Sequence, residues 1–363
     1  MTASLKINGR EVGPGRPVYI IAELSANHGQ DFEQAARIVR AMKAAGADAV
    51  KVQTYTPDTL TIPCDKEWFQ IRGGTLWDGR TLYDLYREAH MPWEWQPRLQ
   101  ALARELGLDF FSTPFDPTAV AFLEGMKVPA YKIASFELVD LPLIRAVAAT
   151  GKPLILSTGG ASGEEIAEAV AVARAAGCAE LALLKCTSAY PALPEEMNLR
   201  TIPDLAAKFG VVAGLSDHTL GTTVPVAAVS LGACIVEKHF TLSRAVPGPD
   251  AAFSLEPEEF QAMVGAIRAT EKALGRVNYG VSPDESKSRV FRRSLFVVQD
   301  VKAGEVFTEA NVRSIRPAHG LHTRHLGDVL GQKAARAIER GTPLQWEDIA
   351  GGRPPATKGG ERG

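Results

Sequence analysis

What the sequence has little of narrows the field first. Its 363 residues include four cysteines, Cys64, Cys178, Cys186 and Cys234, and no two of them form a CxxC pair. Scattered thiols of this kind fit a reducing compartment and argue against a disulfide frame or a zinc knuckle. An excess of charge of one sign is also missing: 40 Lys+Arg stand against 42 Asp+Glu, a formal net charge of −2. Neither nucleic acid nor an anionic membrane is therefore expected as an obligate partner, and any anion must be gripped by locally placed lysines. No stretch of about eighteen apolar residues occurs, and the N-terminal MTASLKINGREVGPGRP is polar with no apolar signal core. Membrane spanning and export are not expected, and the cytoplasm is the expected location. What is present is average for a folded chain, 45% hydrophobic and 23% charged residues, which excludes collagenous, coiled-coil and mostly disordered readings. The length suits one large α/β domain, or a large domain with a small one.

Eight short apolar runs alternate with amphipathic helical stretches. They are VYIIAEL (residues 18–24), AVKVQ (49–53), DFFST (109–113), AYKIAS (130–135), PLILST (153–158), ELALLKCT (180–187), VVAGLS (211–216) and ACIVEKH (233–239). Near-continuous apolar runs suit parallel strands covered on both faces, and eight βα units in roughly 250 residues match a TIM barrel. An open doubly wound sheet is the alternative, but no GxGxxG turn follows the first run. One connection, residues 54–93, is long and carries Trp68, Trp77 and Tyr83, as a lid or binding loop would. The barrel is expected over residues 1–276 and a polar linker over 277–293. A small, mostly β domain is expected over 294–350 and a disordered, glycine-rich tail over 351–363. Within the small domain VKAGEVF (301–307) echoes IERGTPL (338–344) at an offset of 37 residues, which predicts a pseudo-symmetric unit. Some sixty residues are marginal alone, so the unit is expected to dock on the barrel or on another subunit.

Barrel chemistry sits at the C-terminal ends of the strands, and the residues closing these runs are unusually polar. Lys51, Lys132 and Lys185 fall in the second, fourth and sixth runs, whose common parity would let three ammonium groups converge on a phosphate or carboxylate. A structural ion pair or a Schiff-base lysine is the alternative for any one of them. His218 and His239 close the last two runs, on neighbouring strands, where two imidazoles can share one divalent metal. The alternative is one hydrogen-bonded histidine and one general base. Cys186 and Cys234, in apolar strands, are expected in the core. Asp250, in a Gly-Pro-Asp turn after the eighth run, either caps the turn or meets the substrate.

The ordered motifs AELSANHGQ (22–30), AVKVQTY (49–55), FSTPFD (111–116), YKIASFE (131–137), KCTSAYP (185–191), GLSDHT (214–219), EKHFT (237–241) and IRP (315–317) resemble those of the sialic acid synthase family. That likeness spans residues 18–349 and implies a TIM barrel followed by a small antifreeze-like SAF domain of β-clip type. Within the family, SANHGQ in place of a GINHNG form, Ser188 in place of an Asn, and the insertion GTLWDGRTLYDLY (74–86) are similar to the pseudaminic acid branch. The resemblance implies a transferase that condenses phosphoenolpyruvate with an open-chain amino sugar, here 2,4-diacetamido-2,4,6-trideoxy-L-altrose, releasing phosphate. Legionaminate or N-acetylneuraminate synthesis, or a silent sugar-binding protein, are the alternatives.

It further implies that Lys51, Lys132 and Lys185, with the hydroxyls of Thr113, Ser135, Ser188 and Ser216, hold the anion. Gln53, Glu137 and Tyr190 would meet sugar or anion, and Glu23 and Asp250 would orient water or sugar hydroxyls. His218 and His239 would hold Mn2+ or Mg2+. Arg316 would reach into the partner's site in a domain-swapped homodimer, where it or the edge of the small domain would hold the N-acyl group. The trideoxy sugar lacks a hydroxyl at C6, and Trp68, Trp77 and Tyr83 are candidates for the apolar contact it needs.

Overall fold

The computed structural model describes residues 3–352, which divide between Gly275 and Arg276 into two compact units. The first begins with a hairpin, β1 (Leu5–Ile7) paired antiparallel with β2 (Arg10–Val12). Its turn residues Asn8 and Gly9 both have positive φ, 46° and 85°, the twist a two-residue hairpin loop requires. Polar as the N-terminal sequence is overall, its residues Leu5, Ile7 and Val12 are buried in one cluster with Tyr19, Ile21 and Phe111 of the barrel.

The eight apolar runs then form eight parallel strands: β3 (Tyr19–Glu23), β4 (Ala49–Thr54), β5 (Asp109–Pro114), β6 (Tyr131–Ile133), β7 (Leu154–Ser157), β8 (Leu181–Cys186), β9 (Val212–Asp217) and β10 (Ile235–His239). They close into a barrel because β10 also pairs with β3, from Ile235 opposite Tyr19 to His239 opposite Glu23. This is the expected TIM barrel. Gly214 on β9 has to be glycine on steric grounds, since a Cβ there would lie 2.5 Å from the Ile235 carbonyl oxygen.

Helices cover the outside, each with one apolar stripe. The helix Phe32–Ala44 starts at Asp31, whose carboxylate accepts the Glu33 N–H, and buries Ala35, Ile38, Val39 and Met42 at helical spacing. Ser162 and Glu165 form a reciprocal cap on the helix Gly163–Ala175. The long connection between β4 and β5 holds the helices Pro57–Leu60, Leu82–Ala89 and Gln96–Glu105, with a bridge between Gln70 and Thr81.

The second unit contains β11 (Ser294–Val297) antiparallel to β12 (Val312–Ile315), around a core that includes Leu295, Val301, Phe307, Val312, Ile338 and Leu344. Its two sequence echoes face each other: Val301 and Ile338 exchange both backbone hydrogen bonds, at 2.9 and 2.8 Å. A second bridge joins Ala334 to Ile349. Ahead of β11, the segment expected as a plain linker carries a helix, Pro283–Ser288, capped by Ser282 and Glu285. The expected disordered tail falls, beyond Gly352, outside the described residues.

Candidate functional site

At the C-terminal mouth of the barrel lies a cavity of about 440 Å³. Side chains alternate between the interior and the helices along each strand, so the register decides which polar residues share this space. Lys51 and Gln53 of β4 enter it together, as do Glu237 and His239 of β10, and Ser216 of β9 with His218 just beyond it.

Two of the three lysines converge. The ammonium groups of Lys51 and Lys132 each lie 3.6 Å from Glu237 Oε1, and Lys51 also donates to Thr113 Oγ1 at 3.2 Å and pairs with Glu23. Both lysines are at least 97% buried. What the structure shows directly is the ion-pair alternative, both lysines meeting Glu237. Burial pulls Lys132 below the usual lysine range despite the Glu237 carboxylate. For Lys51 burial acts the same way, but Glu23 and Glu237 together hold it above that range. Burial works against the Glu237 carboxylate, but Lys132 and Lys51 hold it below the ordinary range; burial leaves Glu23 raised.

Lys185 is the correction. Its neighbour Cys186 faces the cavity, and a period of two then turns Lys185 to the other side of β8, where Nζ donates to the Cys186 carbonyl at 2.7 Å and to Thr187 Oγ1 at 3.3 Å. Counting strands by parity found the right layer but not the right face.

His218 and His239 meet, with ring centroids 5.3 Å apart. Lys238 pairs in register with Asp217, which makes the following residues neighbours at the same height. His218 Nδ1 bonds the Thr187 carbonyl at 2.9 Å, which leaves Nε2 for any further partner. Burial holds His239 neutral, and its Nδ1 is buried without a protein partner. Phe253 stacks edge-on against His239 at 4.9 Å, and Tyr190 lies 4.5 Å from His218. Cys186 is not merely core: its Sγ is 3.9 Å from His218 Nδ1, and, against burial, the imidazole brings the thiol down to about 7. Burial opposes charge on His218, which the Cys186 sulfur and the Thr187 carbonyl nonetheless raise.

The other expected residues separate into those lining the cavity and those beside it. Gln53, Thr113, Ser135, Glu137, Ser216 and Asp250 line it, as does Tyr190. Burial pushes Glu137 up to about 7 and raises Asp250. Glu23 lies level with Lys51 and His239 by register, but beside the cavity, bonded to Lys51. Ser188 lies beside it too, its buried Oγ so close to Gly159 that a Cβ there would meet it at 2.2 Å. Arg316 belongs to the second unit, just after β12, ahead of a cis peptide to Pro317.

The long β4–β5 connection contributes an apolar wall of Leu60, Ile71, Trp77, Leu82, Leu85 and Tyr86. Trp77 is the one aromatic of the expected three on that wall, its indole N–H donating to the Pro249 carbonyl at 2.9 Å. Trp68 is 78% exposed, and Tyr83 turns its hydroxyl to Asp58 at 3.2 Å, because Tyr86, one helical turn on, takes the inward position. The sequence places Glu237 among the polar residues closing the eighth run but assigns it no role, which its two-residue spacing from His239 on one strand could have signalled; for Ser25 no spacing argument exists.

Comparison with known proteins identifies the family. The NeuB family model matches residues 38–279, and the SAF domain model matches residues 292–350. The chain is 47% identical over 334 residues to the pseudaminic acid synthase of Campylobacter jejuni (strain 81-176), covering 92% of this chain and 97% of that protein. It is 46% identical over 335 residues to the pseudaminic acid synthase of Helicobacter pylori (strain 26695), covering 92% and 98%. The solved N-acetylneuraminic acid synthetase of Leptospira borgpetersenii superposes with a TM-score of 0.71 at 31% identity, covering 79% of this chain and 95% of that one. With its parallel barrel, its SAF unit and matches over most of its length, the chain belongs to the NeuB family.

Proposed function

We propose that the protein is a pseudaminic acid synthase, condensing phosphoenolpyruvate and water with 2,4-diacetamido-2,4,6-trideoxy-L-altrose. The observation that carries this reading is the meeting of two buried ammonium groups and two facing imidazoles in one cavity. An enol ester with a carboxylate and a phosphate needs the first, and an aldehyde acceptor beside it needs the second. The 46–47% identity to proteins named pseudaminic acid synthase supports the choice of sugar, as does the apolar wall facing the cavity, which suits a C6 methyl and N-acetyl methyls.

Lys51 and Lys132 neutralise the anion where little water competes, helped by the hydroxyls of Thr113, Ser135 and Ser216. Held so, C3 of phosphoenolpyruvate supplies the electron pair for the new C–C bond to the aldehyde carbon, whose oxygen takes a proton. Water then bonds to C2, and the C2–O bond breaks with loss of inorganic phosphate. Glu137, raised to about 7, is a cavity carboxyl able to give or take a proton near neutral pH. Gln53 and Asp250 offer acceptors to the sugar hydroxyls and amide N–H groups.

Among the described residues no group of three or more His, Cys, Asp or Glu that could hold a metal is found. The pair His218 and His239 nevertheless fits a divalent ion, Mn2+ or Mg2+, since one imidazole is pinned through Nδ1 and the other is neutral with an unpartnered nitrogen. Such an ion, when bound, supplies Lewis-acid polarisation of the aldehyde oxygen.

The partner arrangement is part of the proposal: Arg316 serves the site of a second copy in a homodimer, contacting the N-acyl group. Mixing an Arg316→Ala chain with a His239→Ala chain then restores part of the activity that each lacks alone. The expected compartment is the cytoplasm; no helix among the described residues is long and apolar enough to cross a membrane.

Phosphate release with phosphoenolpyruvate and each of the three aldoses, the precursors of pseudaminate, legionaminate and N-acetylneuraminate, decides the substrate. A clear preference for either of the latter two overturns the assignment. Borohydride reduction with pyruvate should leave no adduct, because the lysines here work as paired cations.

A further inference from the structure

The loop after β3 holds Ser25 at φ 48°, in the left-handed region, where a Cβ crowds the following carbonyl and glycine does not. The residue is 3% exposed, and its side chain is tied on both sides. Its hydroxyl accepts from Gln53 Nε2 at 2.9 Å and donates to Asp250 Oδ2, the oxygen that also accepts the Ala26 N–H at 3.4 Å. Its own N–H donates to Glu23 Oε1 at 3.1 Å. One hydroxyl thus joins β4 to the loop that follows β10, where Asp250 lies 225 residues beyond Ser25. Both joined side chains line the cavity, while Ser25 itself does not. Spending Nε2 and Oδ2 on Ser25 leaves Gln53 Oε1 and Asp250 Oδ1 without a protein partner among the described residues.

We propose that Ser25 is a positioning residue for the sugar half of the site, its hydroxyl setting Gln53 and Asp250 as a pair of acceptors for the O–H and N–H groups of an acylamino aldose. The strained backbone is retained because glycine, which would relax it, has no hydroxyl to make the bridge. The inference rests on the functional reading above and names the part of the cavity that reads the sugar.

The test compares Ser25→Gly and Ser25→Ala with the parent, using melting temperature and separate KM values for the two substrates. Ser25→Gly should melt at or above the parent while its KM for the aldose rises by about tenfold, the loss of one bridge between polar groups, with KM for phosphoenolpyruvate within about twofold. Ser25→Ala keeps the strain and loses the hydroxyl, so it should show the same aldose defect with no gain in melting temperature. A Ser25→Gly protein that melts below the parent, or one whose two KM values rise together or not at all, overturns the proposal. Phosphate release by the parent judges the functional reading separately, and the variants are then scored as ratios to the parent with the aldose that it uses. A parent idle with every aldose overturns the functional reading, and this proposal with it.

Discussion

Among the described residues Glu237 is the only carboxylate that the Lys51 and Lys132 ammonium groups share, with Oε1 3.6 Å from each, and Glu237→Gln removes its charge at almost constant shape. At an effective dielectric constant of about 20, each of these contacts is worth roughly 4–5 kcal/mol of Coulomb energy. Part of this is returned because a neutral amide costs less to bury, so a net loss of about 3–5 kcal/mol is expected, as for other buried pairs that lose one partner. For the unit ending at Gly275, a two-state unfolding entropy proportional to chain length converts that loss to a fall of about 5–9 °C in melting temperature. The deficit should be recoverable. Phosphoenolpyruvate brings its own negative charge to the same ammonium groups, so the variant should gain more from the ligand than the parent does. Melting curves with and without saturating phosphoenolpyruvate read both effects. A variant as stable as the parent without ligand, or one gaining no more than the parent from it, refutes the reasoning that these lysines are anion-binding groups balanced by Glu237.

The other predictions concern single groups. His239→Ala should abolish turnover and weaken Mn2+ binding by more than the roughly 10–100-fold that loss of a ligand's supporting hydrogen-bond partner costs, measured by the paramagnetic resonance signal of free Mn2+; unchanged metal-dependent rates count against the two-histidine site. Lys132→Ala should reduce kcat/KM for phosphoenolpyruvate by at least about 100-fold, since a buried charge-assisted contact is lost, whereas Lys185→Ala should leave it within about threefold. Equal losses in the two would return Lys185 to the site. Glu137 holds its proton more tightly folded than unfolded, since burial raises it from 4.5 to about 7. Its contribution to stability is therefore present below pH 4.5 and is lost as pH rises toward 7. Glu137→Gln should flatten the fall in melting temperature across that window, and an unchanged pH profile would show that the carboxyl is not desolvated.

The barrel was legible because its signal is local and repeated: β-branched runs covered on both faces, each followed by a helical stretch. The small unit was legible from its internal echo, which the Val301–Ile338 pairing turns into a physical contact. Much of the site followed from the rule that barrel strands end in chemistry, and the two histidines met because their strands are neighbours in register. Lys185 was misplaced, since an apolar run buried on both faces carries no mark of which residues point inward, and a one-residue phase error reverses the assignment. The pairing of Glu23, expected to orient water or sugar hydroxyls, with Lys51 is a contact between strands that no local pattern marks.

The order of residues along the chain thus determined the eight strands, their sequence around the barrel and the stock of cations, carboxylates and imidazoles at one rim. Only the tertiary structure decided which of them share the cavity, because side-chain phase, barrel closure and the path of the long β4–β5 connection arise from packing between segments far apart in the chain. Glu237 between two lysines, Tyr86 rather than Tyr83 on the apolar wall, and Ser25 joining Gln53 to Asp250 are contacts of that kind.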